Sequence, residues 1–181
     1  MKLHFLHYTI IGLSLLFLIR LIQYQLDLFK WKSAHVNFSY QYYELKNYKK
    51  LASKLRDNDP FFYDYAQKLV SLSKWEEADS ILTNKVIQRR VTSQLLILRG
   101  DIKLCLKDTT QAIENYKLAS FIVPNSLTSK FKLMKVHLAL KDTLEGYRWA
   151  NSIVQGRVKI RSPTSDSIQK DALYFLTILK K

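Results

Sequence analysis

Few residues of this chain have types that could do chemistry, and their spacing does not bring them together. Glu76 and Glu77 are adjacent, so on a helix their side chains point about 100° apart and cannot share a substrate as an acid and a base. Cys105 is the single cysteine, which excludes a disulfide framework or a thiolate zinc site within one chain. His4 and His7 have no carboxylate or thiolate nearby, so they make a poor metal site.

The motifs of common enzyme classes are absent from the sequence, which has no G-x-S-x-G, no glycine-rich phosphate loop and no H-E-x-x-H. We expect His137 to be a packed or groove-edge residue, Cys105 to be a small half-buried hydrophobe and Asp79 to be solvated. Aromatic residues such as Phe61, Phe62 and Tyr65 are expected to pack between helices rather than to stack on a ligand. The sequence therefore predicts a protein that is not an enzyme, with no catalytic residue, metal ligand or cofactor site.

Composition indicates one modest helical domain with an appendage. The 181 residues include 4 Gly and 3 Pro and are 48% hydrophobic, which favours long helices over a turn-rich sandwich or barrel. The 29 Lys and Arg exceed the 15 Asp and Glu, and the formal charge of +14 attracts phosphate, anionic lipid or acidic partners. No zinc-finger, RNP-type or KH-type signature accompanies this charge, so no nucleic acid is expected as a partner. A basic adaptor that holds anionic lipid or nucleic acid electrostatically stays an alternative.

The N-terminal segment predicts a membrane helix. Residues 3–19 carry no formal charge, and apolar residues continue to Ile22 beyond Arg20, whose long side chain can reach the membrane interface. A cleaved signal peptide is the competing interpretation, but no small-x-small cleavage site follows the apolar run. We therefore expect the lipid bilayer to be contacted through residues 3–22, as a retained single-pass anchor.

The charges beside this segment predict its orientation. Positive residues are more numerous after the apolar run, where Arg20, Lys30 and Lys32 lie, than before it, where there are Lys2 and the amino terminus. Because the flank richer in Lys and Arg usually stays in the cytoplasm, the soluble part is predicted to be cytoplasmic and the anchor to lie in the cell inner membrane.

The rest of the chain repeats with a period of 34 residues, which the small residues Ala78, Ala112 and Gly146 mark. Each unit contains two helix-length segments joined by a short polar turn such as LKDT. Gly100 and Ala112 let the two helices of one unit approach closely, with Tyr116 filling the space beside them. A fixed period of this length predicts an all-α fold in which helix pairs stack on their neighbours.

This pattern resembles the tetratricopeptide repeat family. The second unit carries it best, with small, aromatic and proline residues at the family's positions (Gly100, Ala112, Tyr116, Ala119 and Pro124). The first unit departs from the pattern at Lys85 and the third lacks the closing proline. The resemblance implies an α-solenoid with a membrane helix before it and a capping helix after it, in this order: anchor and juxtamembrane segment 1–30, degenerate helix pair 31–58, three units within 59–160 (59–92, 93–126 and 127–160), and capping helix 161–181.

A solenoid of this kind implies a groove lined by the first helix of each pair, which grips a peptide or a helix of a protein partner. Carrying the groove positions over by register gives two residues in each unit as candidate partner-binding residues: Tyr63, Gln67, Ile97, Asp101, Phe131 and Lys135.

The whole chain is also similar to the C-terminal, repeat-bearing tail of O-antigen ligase or polymerase family membrane proteins, on the order of an apolar span, NDPFFYDYAQKL, the repeats and VKIRSPTSDSIQKDALYFL. That resemblance implies a scaffold for protein-protein interaction in surface-polysaccharide assembly. The alternative is a non-catalytic tail or subunit of an O-antigen ligase or polymerase whose catalytic spans are on another chain.

Overall fold

The computed structural model describes residues 2–36, 45–87, 91–156 and 162–178, and the regular structure in these ranges is entirely helical. The chain divides into two compact units, Met1–Tyr65 and Ala66–Lys181, with the division inside one helix. The prediction of an all-α fold is confirmed. The side chains of His4 and His7, and the residues Leu179 and Lys180, lie outside the described part. The helices are α1 (Lys2–Val36), α2 (Leu45–Ala52), α3 (Asp59–Ser71), α4 (Trp75–Ile87), α5 (Ser93–Cys105), α6 (Thr109–Ile122), α7 (Leu127–Ala139), α8 (Thr143–Val154) and α9 (Pro163–Ile178).

Helix α1 is long and apolar enough to cross a membrane over Gly12–Lys32, which has 21 residues and a mean hydropathy of 1.3. At 1.5 Å per residue this stretch spans about 30 Å, the thickness of a bilayer's hydrocarbon core. Its apolar side chains from Leu13 to Ile22 are about half exposed or more, and only 6% of the window is buried. These residues are therefore not the core of a soluble unit, although a signal sequence has the same length and composition.

The C-terminal end of α1 packs into the first unit. The Asp27 carboxylate is buried, accepts a hydrogen bond from Gln23 Nε2 at 3.3 Å and lies 3.1 Å from Lys54 Nζ. Trp31 is also buried and meets the Phe61 ring edge-on at 5.9 Å between centroids. Helix α1 thus runs unbroken past residue 30, and the first helix of the predicted degenerate pair is the end of α1.

Aromatic side chains form the core of the first unit. The rings of Tyr48 and Tyr65 stack at 5.3 Å, and Phe61 contacts both of them. Phe62 meets Phe61 edge-on at 5.5 Å. All four are buried, which confirms that these aromatics pack between helices rather than wait for a ligand.

The second unit repeats with the predicted period. The second helices α4, α6 and α8 begin at Trp75, Thr109 and Thr143, which lie 34 residues apart. The turn that leads into each of them contains one non-glycine residue with a positive φ, and these residues keep the same step: Ser73 (56°), Lys107 (61°) and Lys141 (59°). The period therefore recurs in the backbone conformation as well as in the residue types.

Each of these turns both ends one helix and begins the next. Lys107 N–H donates to Leu104 O and Asp108 N–H to Lys103 O, the paired bonds of a helix end closed by a left-handed residue. The Asp108 carboxylate then accepts from Gln111 N–H at 3.1 Å and caps α6. Asp142 caps α8 through Glu145 N–H, which lowers the pKa of the Asp142 carboxyl because the hydrogen bond favours the charged form. The LKDT sequence thus supplies a helix end and a helix start together.

We expect Lys107→Gly to stabilise the chain by about 0.5–1 kcal/mol, because the left-handed conformation is strained for a lysine and unstrained for glycine. Thermal unfolding of the full chain in detergent, followed by circular dichroism, measures the effect. The control is Lys117→Gly in the middle of α6, where glycine should lower stability by about 1 kcal/mol. Equal losses at both positions would contradict the strain at Lys107.

Small residues hold the helices of the second unit close together. Ala78 and Ala112 are fully buried, and a Cβ added to Gly100 would lie 2.3 Å from Tyr116 Cε1, which is closer than any real contact. The predicted close approach of α5 and α6 is confirmed. A second cluster between α7, α8 and α9 contains Met134, Ala150, Ile153 and the predicted stripe of α9 (Ile168, Ala172 and Leu176).

Helix α9 begins at a reciprocal cap, in which Ser165 N–H donates to Ser162 Oγ and Ser162 N–H donates to Ser165 Oγ. Its outer face was expected to be polar. Leu173 and Tyr174 are nevertheless 52% and 68% exposed on that face, so the end of this unit is not fully solvated by polar side chains.

Candidate functional site

The candidate site lies on the first helices of the second unit, α5 and α7, and it is built around Asp101. Lys132 Nζ lies 2.7 and 2.9 Å from the two Asp101 carboxylate oxygens, and Tyr116 donates its hydroxyl to Oδ1 at 2.6 Å. One carboxylate thus links α5, α6 and α7. Burial and the bond to Asp101 raise the pKa of the Tyr116 hydroxyl, so it stays neutral and remains a donor.

Phe131 and Lys135 form the second element of the site, one turn apart on α7. The Lys135 ammonium lies 5.6 Å from the centroid of the Phe131 ring, within the range of a cation–π interaction. Phe131 is partly buried against the cluster that contains Leu127 and Met134, whereas Lys135 is exposed. The pair offers an apolar ring edge beside a solvated positive charge.

Ile97 completes the surface, one turn before Asp101 on α5. It is partly buried against a cluster formed by Ala112, Tyr116, Leu133 and Val136. We call the surface formed by Ile97, Asp101, Phe131, Lys132 and Lys135 the first-helix face.

The two remaining groove candidates lie on α3. Gln67 is exposed and belongs to the second unit, at the register position of Asp101 and Lys135. Tyr63 is partly buried and belongs to the first unit. Binding by any of the six candidates stays a prediction.

Sequence reasoning missed Lys132 and the role of the Tyr116 hydroxyl. The available signal was charge: Lys132 follows Asp101 by 31 residues, so it lies one turn before the position equivalent to Asp101 in the next unit. Facing turns of neighbouring first helices are where opposite charges can meet. The register identified Asp101, but only the packing showed that its carboxylate is already engaged.

The expectation that Asp79 is solvated was wrong. Its carboxylate lies 3.1 Å from Arg99 Nε and 2.9 Å from Lys103 Nζ, and all three side chains are less than a fifth exposed. Arg99 also donates to Asn115 Oδ1 at 3.1 Å, so a buried polar network links α4, α5 and α6. This network serves packing between units rather than chemistry.

Two other expectations have opposite outcomes. Cys105 is exposed, which corrects the prediction of a half-buried residue. His137 is 7% exposed and its Nδ1 lies 3.0 Å from Asp142 Oδ2, which confirms a packed position at the end of α7. Among the described residues no group of three or more His, Cys, Asp or Glu is placed to hold a metal ion.

Comparisons with known proteins support the fold. No protein-family model matches the chain, and a search of curated proteins also finds no match. Among solved structures, the chain is similar to PcrH from Pseudomonas aeruginosa with a TM-score of 0.57 and 17% identity, over 66% of this chain and 89% of that one. It is equally similar, at a TM-score of 0.57 and 17% identity, to PcrH in complex with the chaperone binding region of PopD, over 66% of this chain and 88% of that one. These likenesses confirm a tetratricopeptide-like, all-helical repeat fold.

Proposed function

We propose that this chain is a membrane-anchored scaffold that binds an extended segment of a protein partner on the first-helix face. The observation that carries the proposal is the arrangement on α5 and α7, where a partly exposed aromatic ring and an aliphatic side chain lie beside a solvated ammonium group. Surfaces of this kind bind peptides by combining apolar pockets with a few charges that fix the register. The structure of PcrH with a segment of PopD supports the proposal, because a protein of similar fold binds a partner segment.

The exposed apolar part of α1 supports the membrane anchor. Leu15, Leu16 and Phe17 are 58%, 59% and 71% exposed. Uncovered apolar surface of this extent is typical of a segment that contacts lipid or another protein. A single-pass location in the inner membrane, with the repeats in the cytoplasm, is part of the proposal and rests on the charge difference across the segment.

The narrower role in surface-polysaccharide assembly rests on sequence resemblance alone and stays a prediction. So do the alternatives of a tail or subunit of an O-antigen ligase or polymerase and of a basic adaptor for lipid or nucleic acid, and so does the absence of catalysis.

Lys135→Glu tests the first-helix face, since Lys135 is exposed and its replacement should leave folding intact. Peptides selected from a random display library against the full chain in detergent should bind the variant at least about tenfold more weakly, because a repulsive charge replaces an attractive one. Fluorescence anisotropy with a labelled selected peptide measures the dissociation constant.

The matched control is Lys117→Glu, which makes the same charge change at an exposed position on α6, outside the first-helix face. It should leave peptide affinity within about twofold of the unchanged chain. Failure to enrich any peptide, or equal weakening by both variants, would overturn the assignment of binding to this face.

A further inference from the structure

The turn between α6 and α7 exposes four apolar side chains. Phe121 is 81% exposed, more than Phe17 on the apolar part of α1 at 71%. Leu118, Ile122 and Val123 are 41%, 43% and 42% exposed. Leu118, Phe121 and Ile122 lie three and four residues apart, so they share the outward side of α6 at its last turn. We call these four residues the apolar turn.

The repeat does not require apolar residues at these positions. One period later, Ser152, Gln155 and Gly156 occupy the positions of Leu118, Phe121 and Ile122. One period earlier, the position of Leu118 is held by Asn84, which is exposed. The other units thus form the same fold with polar residues or glycine at most of these positions, so the apolar turn needs an explanation other than folding.

Positive charges surround the apolar turn. Lys117 is exposed and lies one turn before Phe121 on the same side of α6, and Lys130 lies in the first turn of α7. The sequence from Asn115 to Lys141 contains five lysines and neither Asp nor Glu. The acidic residue closest along α6 is Glu114, seven residues before Phe121, which places it about 10 Å away along the helix axis.

From these observations we propose that the apolar turn docks on the surface of an anionic bilayer. Phe121 would enter the interface between headgroups and acyl chains, and Lys117 and Lys130 would face the anionic headgroups. The inference rests on the proposed membrane location of α1, which keeps the second unit at high local concentration beside lipid. Docking would add a second contact with the membrane through α6 and α7, separate from the first-helix face.

Charge and shape favour a bilayer over a protein as the occupant. An aromatic side chain that projects from a turn matches a soft interface, whereas protein contacts normally seat such a ring in a pocket of the partner. The lysine-rich, acid-free flank matches the negative surface potential of a membrane containing anionic lipid. A docked protein partner is the competing outcome of the test.

The experiment labels the turn directly in the full chain. In a Cys105→Ser background, Phe121→Cys carries an environment-sensitive fluorophore, and the chain is mixed with vesicles that contain brominated lipid as a quencher. One set of vesicles is phosphatidylcholine alone and the other also contains phosphatidylglycerol. We expect the quenched fraction of the label to be about tenfold larger with the anionic vesicles, since two lysines near the surface each favour docking.

Two controls separate this proposal from the anchor and from general charge. A label at Thr110→Cys, at the opposite end of α6, should be quenched equally weakly by both vesicles. Lys117→Glu should reduce quenching at position 121, whereas Lys107→Glu, at the far end of α6, should not. Flotation of the chain on phosphatidylcholine vesicles reports on α1 independently, so failure of the anchor is recognised separately.

Equal quenching in both vesicle types, or none in either, would overturn the proposal. A label that is shielded in detergent without lipid, in proportion to protein concentration, would show that a protein surface covers the turn and would overturn it as well.

Discussion

Replacing Asp79 with alanine is expected to lower the free energy of unfolding by about 3–5 kcal/mol, because it leaves two largely buried cations without their shared anion. The Arg99 and Lys103 side chains are only 11% and 13% exposed, so water cannot solvate them in compensation. Arg99 would keep its bond to Asn115, and Lys103 would keep only Asp108, at 3.7 Å. Since whole domains are stable by about 5–15 kcal/mol, this one change would remove a large part of the total.

Chemical denaturation of the full chain in detergent, followed by circular dichroism, measures the loss. Glu77→Ala is the matched control, because it removes a carboxylate from the same helix whose partner Lys74 is 41% exposed. Exposed pairs contribute at most about 1 kcal/mol, so the control should unfold nearly as the unchanged chain does. A loss of under 1 kcal/mol for Asp79→Ala would mean that Arg99 and Lys103 can reach solvent and that the network is not buried in solution.

Gly100→Ala is expected to destabilise the chain by about 1–3 kcal/mol through overpacking. The new Cβ would lie 2.3–2.8 Å from three carbons of the Tyr116 ring, which is fully buried and held by its hydroxyl bond to Asp101. The ring therefore has no space to move into without breaking that bond. The sign is informative, because alanine in a helix interior is otherwise favoured over glycine by about 1 kcal/mol.

Gly146→Ala provides the contrast, since Gly146 is also helical and buried. Its nearest atom is Leu138 Cδ2 at 2.7 Å, the flexible end of a partly buried side chain that can shift. We expect a change of no more than about 1 kcal/mol, in either direction. Thermal melts of both variants decide the matter, and adding Tyr116→Leu to Gly100→Ala should recover part of the loss. If Gly100→Ala melts at or above the temperature of the unchanged chain, α5 and α6 are not in close contact.

The repeat allowed much of the fold to be predicted from local rules. A 34-residue recurrence of small residues specifies where helices must approach, and Asp108 and Asp142 begin α6 and α8 as N-caps whatever surrounds them. Hydrophobic spacing likewise identified the buried stripe of α9 and the long apolar helix α1. These features follow from the chain's own neighbours within a turn or two, so the sequence carries them directly.

The candidate site was predicted less completely. Register placed Ile97, Asp101, Phe131 and Lys135 on the first helices, because equivalent residues of a repeat occupy equivalent positions. Register does not state whether a charge is available, and Asp101 is already bonded to Lys132 and Tyr116. Lys135 could be recognised as exposed only after Phe131 was seen to lie against the core.

The sequence by itself determined that this protein is helical, repeats every 34 residues in its second unit, and begins with an apolar helix. Only the tertiary structure decided which charges are buried, as for Asp79, and which apolar residues remain uncovered, as for Phe121. The physical reason is range. Helix periodicity and capping depend on residues three or four apart, whereas the burial of a side chain depends on atoms from other helices that come from distant parts of the chain.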